Sequence, residues 1–228
     1  MALVFRVTRP AQHRPRGALP FDLAAIVAPG RTALVTQECQ RGVIGDRSVL
    51  PELAKAAQGA VIANIARLSR AARRLDVPVV HCIAVRRADG KGANQNARLF
   101  QHMARVDEKL LPGSEAAELV PELAVEESDL VLPRLHGLSP FQGTELDFVL
   151  RNLGVQTIVG VGVSVNVAIT NLAFDAVNSS YQMVLPRDAV AGFPAEYVDA
   201  VFAHTLGAIA TLTTTDELLG CWEGSRSH

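Results

Sequence analysis

Short runs of apolar residues alternate along the chain with longer segments in which apolar positions recur every three or four residues. The short runs are typical of strands buried on both faces, as in a parallel sheet. The longer segments are typical of helices with one apolar side. The pattern predicts six strands, over Thr32–Gln37, Val77–Val85, Asp129–Pro133, Thr157–Val161, Gln182–Pro186 and Ala210–Thr214.

Helical spacing predicts one long helix between Leu53 and Ala72, and further helices over Thr144–Leu153, Val167–Ser179 and Ala195–Ala210. Strands that alternate with helices along a chain favour a parallel sheet covered by helices on both faces. The predicted fold class is therefore α/β, a three-layer αβα sandwich with a mostly parallel sheet of about six strands.

The chain has 228 residues, which is enough for one well-packed domain and does not require two. Residues 1–30 carry four prolines that interrupt any periodicity, and we predict an N-terminal arm that packs on the core or on a neighbouring subunit. Residues 31–221 are predicted to form the single domain. Residues 222–228 are predicted to form a tail.

The net charge of −1 provides no electrostatic basis for nucleic acid or an anionic membrane as the main partner. The apolar runs are too short to span a bilayer, and the arginine-containing N-terminus lacks the pattern of a secretory signal. Cys39, Cys82 and Cys221 give neither a disulfide framework nor a zinc spacing. We therefore expect a cytoplasmic protein whose partner is a small molecule.

One segment stands out chemically, the run GVQTIVGVGVSVNVAITNLAFD from Gly154 to Asp175. It predicts a buried strand, a glycine-containing turn over Gly162–Asn166 and a helix. Other distinctive runs surround it: Glu38-Cys39-Gln40 after the first strand, Gly113-Ser114-Glu115 followed by Val120-Pro121-Glu122-Leu123, Arg134 before Leu138-Ser139-Pro140-Phe141, and Leu150-Arg151-Asn152-Leu153-Gly154.

Together these motifs resemble the isochorismatase-like (cysteine hydrolase) family over about residues 31–219. In that family the turn reads roughly G-V-[AS]-T-N-x-C and ends in a nucleophilic cysteine. The first strand ends in Asp-x-Q, whose aspartate is a general base, and a lysine comes from a later strand. The resemblance implies the αβα fold, hydrolysis of a small molecule, and a homo-oligomer, either a dimer or a tetramer.

All three catalytic positions implied by the resemblance hold a different residue here. Ala168 occupies the nucleophile position, and its methyl group cannot form a covalent intermediate. Glu38 replaces the aspartate and keeps a carboxylate. Arg134 replaces the lysine and keeps the positive charge, but it is suited to anchoring an anion rather than exchanging a proton. A salt bridge between Glu38 and Arg134 is the structural alternative to a direct role for each.

The resemblance also implies a set of substrate-binding residues. The turn should place Val163, Ser164 and Asn166 beside the substrate, with a cis Val163–Ser164 peptide and backbone N–H groups directed at an oxyanion. An ordinary strand-to-helix connection is the alternative. Gln40 occupies the place of the glutamine in Asp-x-Q. His136 lies in the loop Leu135–Ser139 over the expected pocket, where it could contact a ligand or carry a proton.

Two cysteines and a histidine near the predicted strands are further candidates for chemical roles. Cys39 and Cys82 could replace the missing nucleophile, but free cysteine is commonly a buried apolar residue, and strand alternation should direct Cys39 away from the face that Glu38 uses. His81 lies in an apolar strand and is expected to be a hydrogen-bonded core residue. Some members of the family that the chain resembles bind zinc through an Asp-x-His pair and another histidine, but no D-x-H motif is present here, so neither a metal nor a cofactor is expected.

Three functional hypotheses follow. In the first, the protein is a hydrolase of a small acidic or carbonyl-containing molecule that works without a covalent intermediate, through acid or base catalysis by Glu38. In the second, it is a catalytically silent relative that binds a small molecule. In the third, Cys39 or Cys82 swings into the pocket of a conventional amidase. The surviving charges favour the first.

Overall fold

The computed structural model describes residues 22–225. Its centre is a parallel sheet of seven strands: β1 (Thr32–Gln37), β2 (Val79–Ala84), β3 (Leu130–Arg134), β4 (Thr157–Val163), β5 (Gln182–Pro186), β6 (Val190–Ala191) and β7 (Thr211–Thr213). The strand order is β3-β2-β1-β4-β5-β7, and β6 pairs with the end of β4. All six predicted strands are present, and the predicted fold class is confirmed.

The helices are α1 (Leu23–Ile26), α2 (Arg41–Ile44), α3 (Pro51–Ala57), α4 (Ala60–Arg73), α5 (Arg98–Arg105), α6 (Leu146–Asn152), α7 (Thr170–Asn178), α8 (Ala195–Val201), α9 (Gly207–Ile209) and α10 (Thr215–Gly224). Two π-helical segments, Val165–Ile169 and Phe202–Leu206, directly precede α7 and α9. Short 3-10 turns lie at Pro29–Arg31, Pro121–Leu123 and Arg187–Ala189.

The two faces of the sheet carry two separate apolar cores. On one face, Leu34 of β1 and alternate residues of β4 pack with α4 and α10. On the other face, Ala33 and Val35 pack with α6, α7 and α8. Because successive strand residues point to opposite faces, a fully buried strand such as β4 needs apolar residues or glycine at nearly every position. This explains the uninterrupted apolar runs of the sequence.

The long helix expected between Leu53 and Ala72 is divided into α3 and α4. Gly59 separates them with a φ of 73°, a backbone conformation that favours glycine. The sequence pattern also did not predict β6, whose two residues are too few to show any periodicity.

Both ends of the described chain pack on the first core. Helix α10 runs through Gly224, and Trp222 is fully buried, so the predicted boundary at residue 221 falls inside a packed helix. The Trp222 indole Nε1 donates a hydrogen bond to the carbonyl of Val27 at 2.9 Å. Residues 22–30 of the predicted arm therefore lie against the domain, and the rest of the predicted arm lies outside the described residues.

Candidate active site

Glu38 follows the last residue of β1, at the carboxyl edge of the sheet, where open α/β sheets bind ligands. Its φ is 54°, in the left-handed region that residues other than glycine rarely adopt. A residue held in this conformation costs roughly 1–3 kcal/mol and is stabilised only by its surroundings. The chain therefore turns sharply at Glu38, and its carboxylate faces a cavity.

Arg134, the last residue of β3, forms an ion pair with Glu38 across the carboxyl edge of β2. Its Nη2 donates to Glu38 Oε1, which also accepts from Gln37 Nε2 at 3.2 Å. Arg134 Nε donates to the Gly137 carbonyl at 3.3 Å. The Nη1 atom is buried and has no hydrogen-bond partner in the described chain. The pair thus uses only one carboxylate oxygen, and one arm of the guanidinium is buried without a partner.

The turn after β4 places Ser164 and Ala168 on the same side as this ion pair. The Val163–Ser164 peptide is cis, as the resemblance implies. Gly162 lies so close to β1 that a Cβ atom there would come within 2.3 Å of the Gln37 carbonyl oxygen, so only glycine fits. This close approach brings the turn beside Glu38. The π-helical segment Val165–Ile169 then presents the methyl group of Ala168 to the cavity.

A cavity of about 230 Å³ lies between these elements. Five of the predicted site residues line it, namely Glu38, Arg134, His136, Ser164 and Ala168. This volume is below the roughly 300–1,000 Å³ typical of pockets for drug-sized ligands, so the cavity suits a small metabolite. The sheet edge therefore carries an open site in which Glu38 and Arg134 pair without filling the space over Ala168.

Most of the remaining lining is apolar. Helix α5 contributes Leu99, Phe100 and Met103, and the residues around α3 contribute Leu50 and Leu53. No residue of α5 is fully buried, so its apolar side covers the cavity without joining either core. This wall was not predicted from the sequence. The spacing of Leu99, Phe100 and Met103 over one helical turn is the signal that could have identified it.

The loop expected to cover the pocket mouth, Arg86–Asn96, does contribute to the lining, through Arg86, Ala93 and Asn94. Asn94 Oδ1 accepts a hydrogen bond from the Gly137 amide at 2.8 Å and so connects this loop to the one that carries His136. His136 itself is solvent-exposed above Gly143, where a Cβ atom would come within 2.8 Å of the imidazole Cε1, so only glycine leaves room for the ring.

Three predicted substrate-binding residues do not line the cavity. Gln40 is fully buried, and its amide is used by the backbone: it donates to the carbonyls of Ala84 at 2.9 Å and Ala117 at 3.1 Å and accepts from the Ala84 amide at 2.8 Å. The Val163 side chain lies in the first core. Asn166 turns towards the Phe193 carbonyl. Gln40 therefore has a structural role, because both the nitrogen and the oxygen of its side-chain amide are hydrogen-bonded to the backbone.

The two buried thiols lie away from the cavity. Cys39 packs in the first core and Cys82 in the second, so Cys39 points away from the cavity that Glu38 faces, as expected. Burial raises the pKa of each thiol to about 12. Since the thiolate is the nucleophilic form, neither residue is poised to attack a substrate.

His81 belongs to a buried polar network beneath the site. Its Nδ1 lies 2.7 Å from Thr36 Oγ1 and its Nε2 lies 3.3 Å from Asp129 Oδ2. Arg73 donates to both oxygens of Asp129, at 3.0 and 2.6 Å. Burial lowers the pKa of His81 below its usual value. His81 is thus the hydrogen-bonded core residue that the sequence predicted, and it does not reach the cavity.

A larger open groove of about 1220 Å³ runs beside the exposed side of β3. It shares Val85 and Leu135 with the cavity, but none of the predicted site residues lines it. Its charged residues are partly used by one another, as where Arg41 pairs with Asp46 and Glu118. We therefore assign the chemistry to the smaller cavity, where opposite charges and a helix start meet.

In the range 22–225, no three His, Cys, Asp or Glu side chains lie close enough together to hold a metal ion. Within the same range, no helix has the length and apolar character needed to cross a bilayer.

Comparison with known proteins identifies the family. The model of the isochorismatase domain matches residues 32–217. The ureidoacrylate amidohydrolase RutB of Serratia proteamaculans is 31% identical over 186 residues, covering 75% of this chain and 74% of that protein. The uncharacterized isochorismatase family protein YwoC of Bacillus subtilis is 33% identical over 103 residues. This match covers 45% of this chain and 54%, or about half, of the length of YwoC.

A structural match agrees with these relationships. The crystal structure of a cysteine hydrolase from Pseudomonas syringae pv. phaseolicola superimposes with a TM-score of 0.74 at 25% identity, covering 88% of this chain and 96% of that one. The family match covers the whole sheet, the turn after β4 and the residues that line the cavity. The chain belongs to the isochorismatase family of hydrolases.

Proposed function

We propose that the protein hydrolyses a small acidic or carbonyl-containing molecule without a covalent intermediate, with Glu38 as the acid–base group. The observation that carries this proposal is the Glu38–Arg134 pair at the wall of an open cavity. Glu38 is the one carboxylate among the predicted catalytic residues, it lines the cavity, and Ala168 offers no nucleophile. Water must then supply the attacking oxygen.

In this mechanism the ionised Glu38 carboxylate accepts a proton from a water molecule while the water oxygen bonds to the carbonyl carbon of the substrate. The carbonyl oxygen gains negative charge, which the guanidinium of Arg134 and the N–H groups of the turn at Ser164 stabilise. Glu38 then returns the proton to the leaving nitrogen or oxygen as the carbon–heteroatom bond breaks. The net reaction consumes one water and leaves Glu38 unchanged.

Two features support Glu38 as a base. The ion pair with Arg134 fixes the position of the carboxylate at the cavity wall. The left-handed backbone at Glu38 is also a strained conformation of the kind that clusters at functional sites. The amidohydrolase names of relatives such as the RutB proteins suggest amides or ureido compounds as the first substrates to test.

A catalytically silent binding protein remains the second candidate, because the Glu38–Arg134 pair neutralises its own charges. One experiment distinguishes the two candidate functions, because they predict different results. A panel of small amides, ureido acids and enol ethers is incubated with the wild type, with Glu38→Gln and with Glu127→Gln, a control at an exposed glutamate outside the cavity.

We expect turnover by the wild type and the control, and a loss of about 100-fold or more in Glu38→Gln, the range for a general acid–base group. Circular dichroism should show that the variant is folded. Saturable ligand binding with no turnover by the wild type would support the silent protein. Undiminished turnover by Glu38→Gln would refute the mechanism.

A further inference from the structure

The loop directly after β3 makes very few hydrogen bonds. Among the described residues, positions 135–138 take part in only two, and both are made by Gly137. The Gly137 amide donates to Asn94 Oδ1 at 2.8 Å, and the Gly137 carbonyl accepts from Arg134 Nε at 3.3 Å. Gly137 therefore connects Asn94, in the loop at the pocket mouth, to the guanidinium at the cavity wall.

The contact between Asn94 and Gly137 is also isolated when viewed from the other loop. Of the hydrogen bonds within residues 22–225, it alone joins residues 87–105 to the loop after β3. The other hydrogen bonds of residues 87–96 stay within that segment or reach α5, as where Gln101 donates to the Gln95 carbonyl at 3.1 Å. Asn94 is therefore the point at which the segment over the cavity is connected to the sheet edge.

Steric contacts do not fix the orientation of Gly137. A Cβ atom built there would meet no heavy atom of the described chain within 4 Å, its two neighbours in sequence aside. Its φ is 69°, in the left-handed region, and glycine has more conformational freedom to lose than any other residue. The hydrogen bond to Asn94 therefore holds Gly137 in the conformation that directs its carbonyl at Arg134.

Arg134 in turn depends on this carbonyl. Its guanidinium makes two hydrogen bonds in the described chain, to Gly137 through Nε and to Glu38 through Nη2. Two bonds from different nitrogens fix the plane of a guanidinium, whereas a single bond leaves it free to rotate about that contact. Without the Gly137 contact, the ion pair would no longer hold the Glu38 carboxylate in one place at the cavity wall.

From these contacts we propose that Asn94 is a positioning residue for the Glu38–Arg134 pair. Its side-chain oxygen holds Gly137, Gly137 holds Arg134, and Arg134 holds the Glu38 carboxylate. The pair is thus in place only while the loop Arg86–Asn96 lies against the loop after β3. The effect of Asn94 on turnover rests on the proposed function, whereas its effect on the Arg134 guanidinium does not.

The test follows the Arg134 Nε–H group by NMR in the full-length protein, as the rate at which its proton exchanges with water. Asn94→Ala removes the oxygen acceptor, and Asn94→Asp keeps an oxygen at the same place. Gln95→Ala is the matched control, because Gln95 is the exposed neighbour of Asn94 and does not line the cavity. Circular dichroism checks that each variant is folded.

Exchange should be about fivefold faster in Asn94→Ala than in wild type, the factor expected for the loss of one ordinary hydrogen bond. It should stay near the wild-type rate in Asn94→Asp and in Gln95→Ala. With an amide that the wild type hydrolyses, Asn94→Ala should lower kcat severalfold with KM nearly unchanged, and Asn94→Asp should restore kcat. A direct contact between Asn94 and the substrate would instead raise KM and leave the exchange rate unchanged.

Unchanged exchange in Asn94→Ala would overturn this proposal. So would equal acceleration in Gln95→Ala, which would show a general loosening of the loop, or in Asn94→Asp, which keeps the acceptor. These outcomes are separate from the fate of the proposed function. Faster exchange in Asn94→Ala with no hydrolysis by the wild type would keep the positioning role and refute the hydrolase. Hydrolysis by the wild type with an exchange rate that does not depend on Asn94 would do the reverse.

Discussion

Replacing Asp129 by Asn should destabilise the protein strongly without touching the cavity. Asp129 has a side chain that is 1% exposed and accepts hydrogen bonds from Arg73, from His81 and from the Glu126 amide. Burial acts to raise the pKa of Asp129, but the hydrogen bonds from Arg73 and the Glu126 amide outweigh it, so the pKa lies below its ordinary value. The carboxylate is therefore charged at neutral pH.

The magnitude follows from what the substitution leaves behind. Arg73 is 8% exposed and would keep its charge without its main partner. Breaking a buried ion pair on one side costs roughly 3–5 kcal/mol. Arg73 also donates to the Leu123 carbonyl and lies 3.5 Å from Glu126 Oε1, so the lower end of about 3 kcal/mol applies. For a chain of this size the melting temperature should fall by about 6–12 °C.

Differential scanning calorimetry of wild type, Asp129→Asn and Asp216→Asn measures this effect. Asp216 is 79% exposed and pairs with Arg67 at the surface, so its variant removes the same charge with little effect, about 2 °C or less. A melting temperature of Asp129→Asn within 2 °C of the Asp216→Asn value would refute the assignment of a stabilising network to His81 and Asp129.

The remaining predictions concern His81, Ala168 and Gln40. Burial lowers the pKa of His81, so its stabilising contribution is complete above about pH 6.5 and is lost as the pH falls further, at up to about 1.4 kcal/mol per pH unit. Urea denaturation from pH 7 to pH 5 should show this fall in the free energy of unfolding in wild type and not in His81→Gln. Ala168→Cys should place a thiol at the cavity that iodoacetamide alkylates faster than the buried Cys39 and Cys82, as peptide mass spectrometry would show; equal rates would contradict the placement of residue 168. Gln40→Ala removes three hydrogen bonds to the backbone and should lower the free energy of unfolding by about 3 kcal/mol, and a loss below about 1 kcal/mol would contradict its structural role.

The sequence predicted the sheet well because each main strand is buried on both faces and therefore appears as an apolar run. It also predicted that Glu38, Arg134 and Ala168 come together, since each lies at or just beyond the carboxyl end of a parallel strand and these ends share one edge. Strand alternation placed Cys39 away from Glu38, and the structure confirms this.

Other features depend on contacts that no local pattern reveals. Gln40 reaches Ala84 and Ala117, which lie 44 and 77 residues away along the chain, so its structural role could not be read from its neighbours. The wall formed by α5 has an apolar spacing in the sequence, but only the fold shows that this side faces the cavity and not a core. The division between α3 and α4 depends on the positive φ of Gly59, which the sequence allowed and did not require.

The central claim is that Glu38, and no thiol, carries hydrolysis at this site. The most direct measurement is the turnover rate of Glu38→Gln beside that of the double variant Cys39→Ala/Cys82→Ala, with the same amide substrate and both proteins shown to be folded. We predict a loss of about 100-fold or more in Glu38→Gln and a rate near that of wild type in the double cysteine variant. Full activity in Glu38→Gln, or loss of activity only with the thiols, would contradict the account.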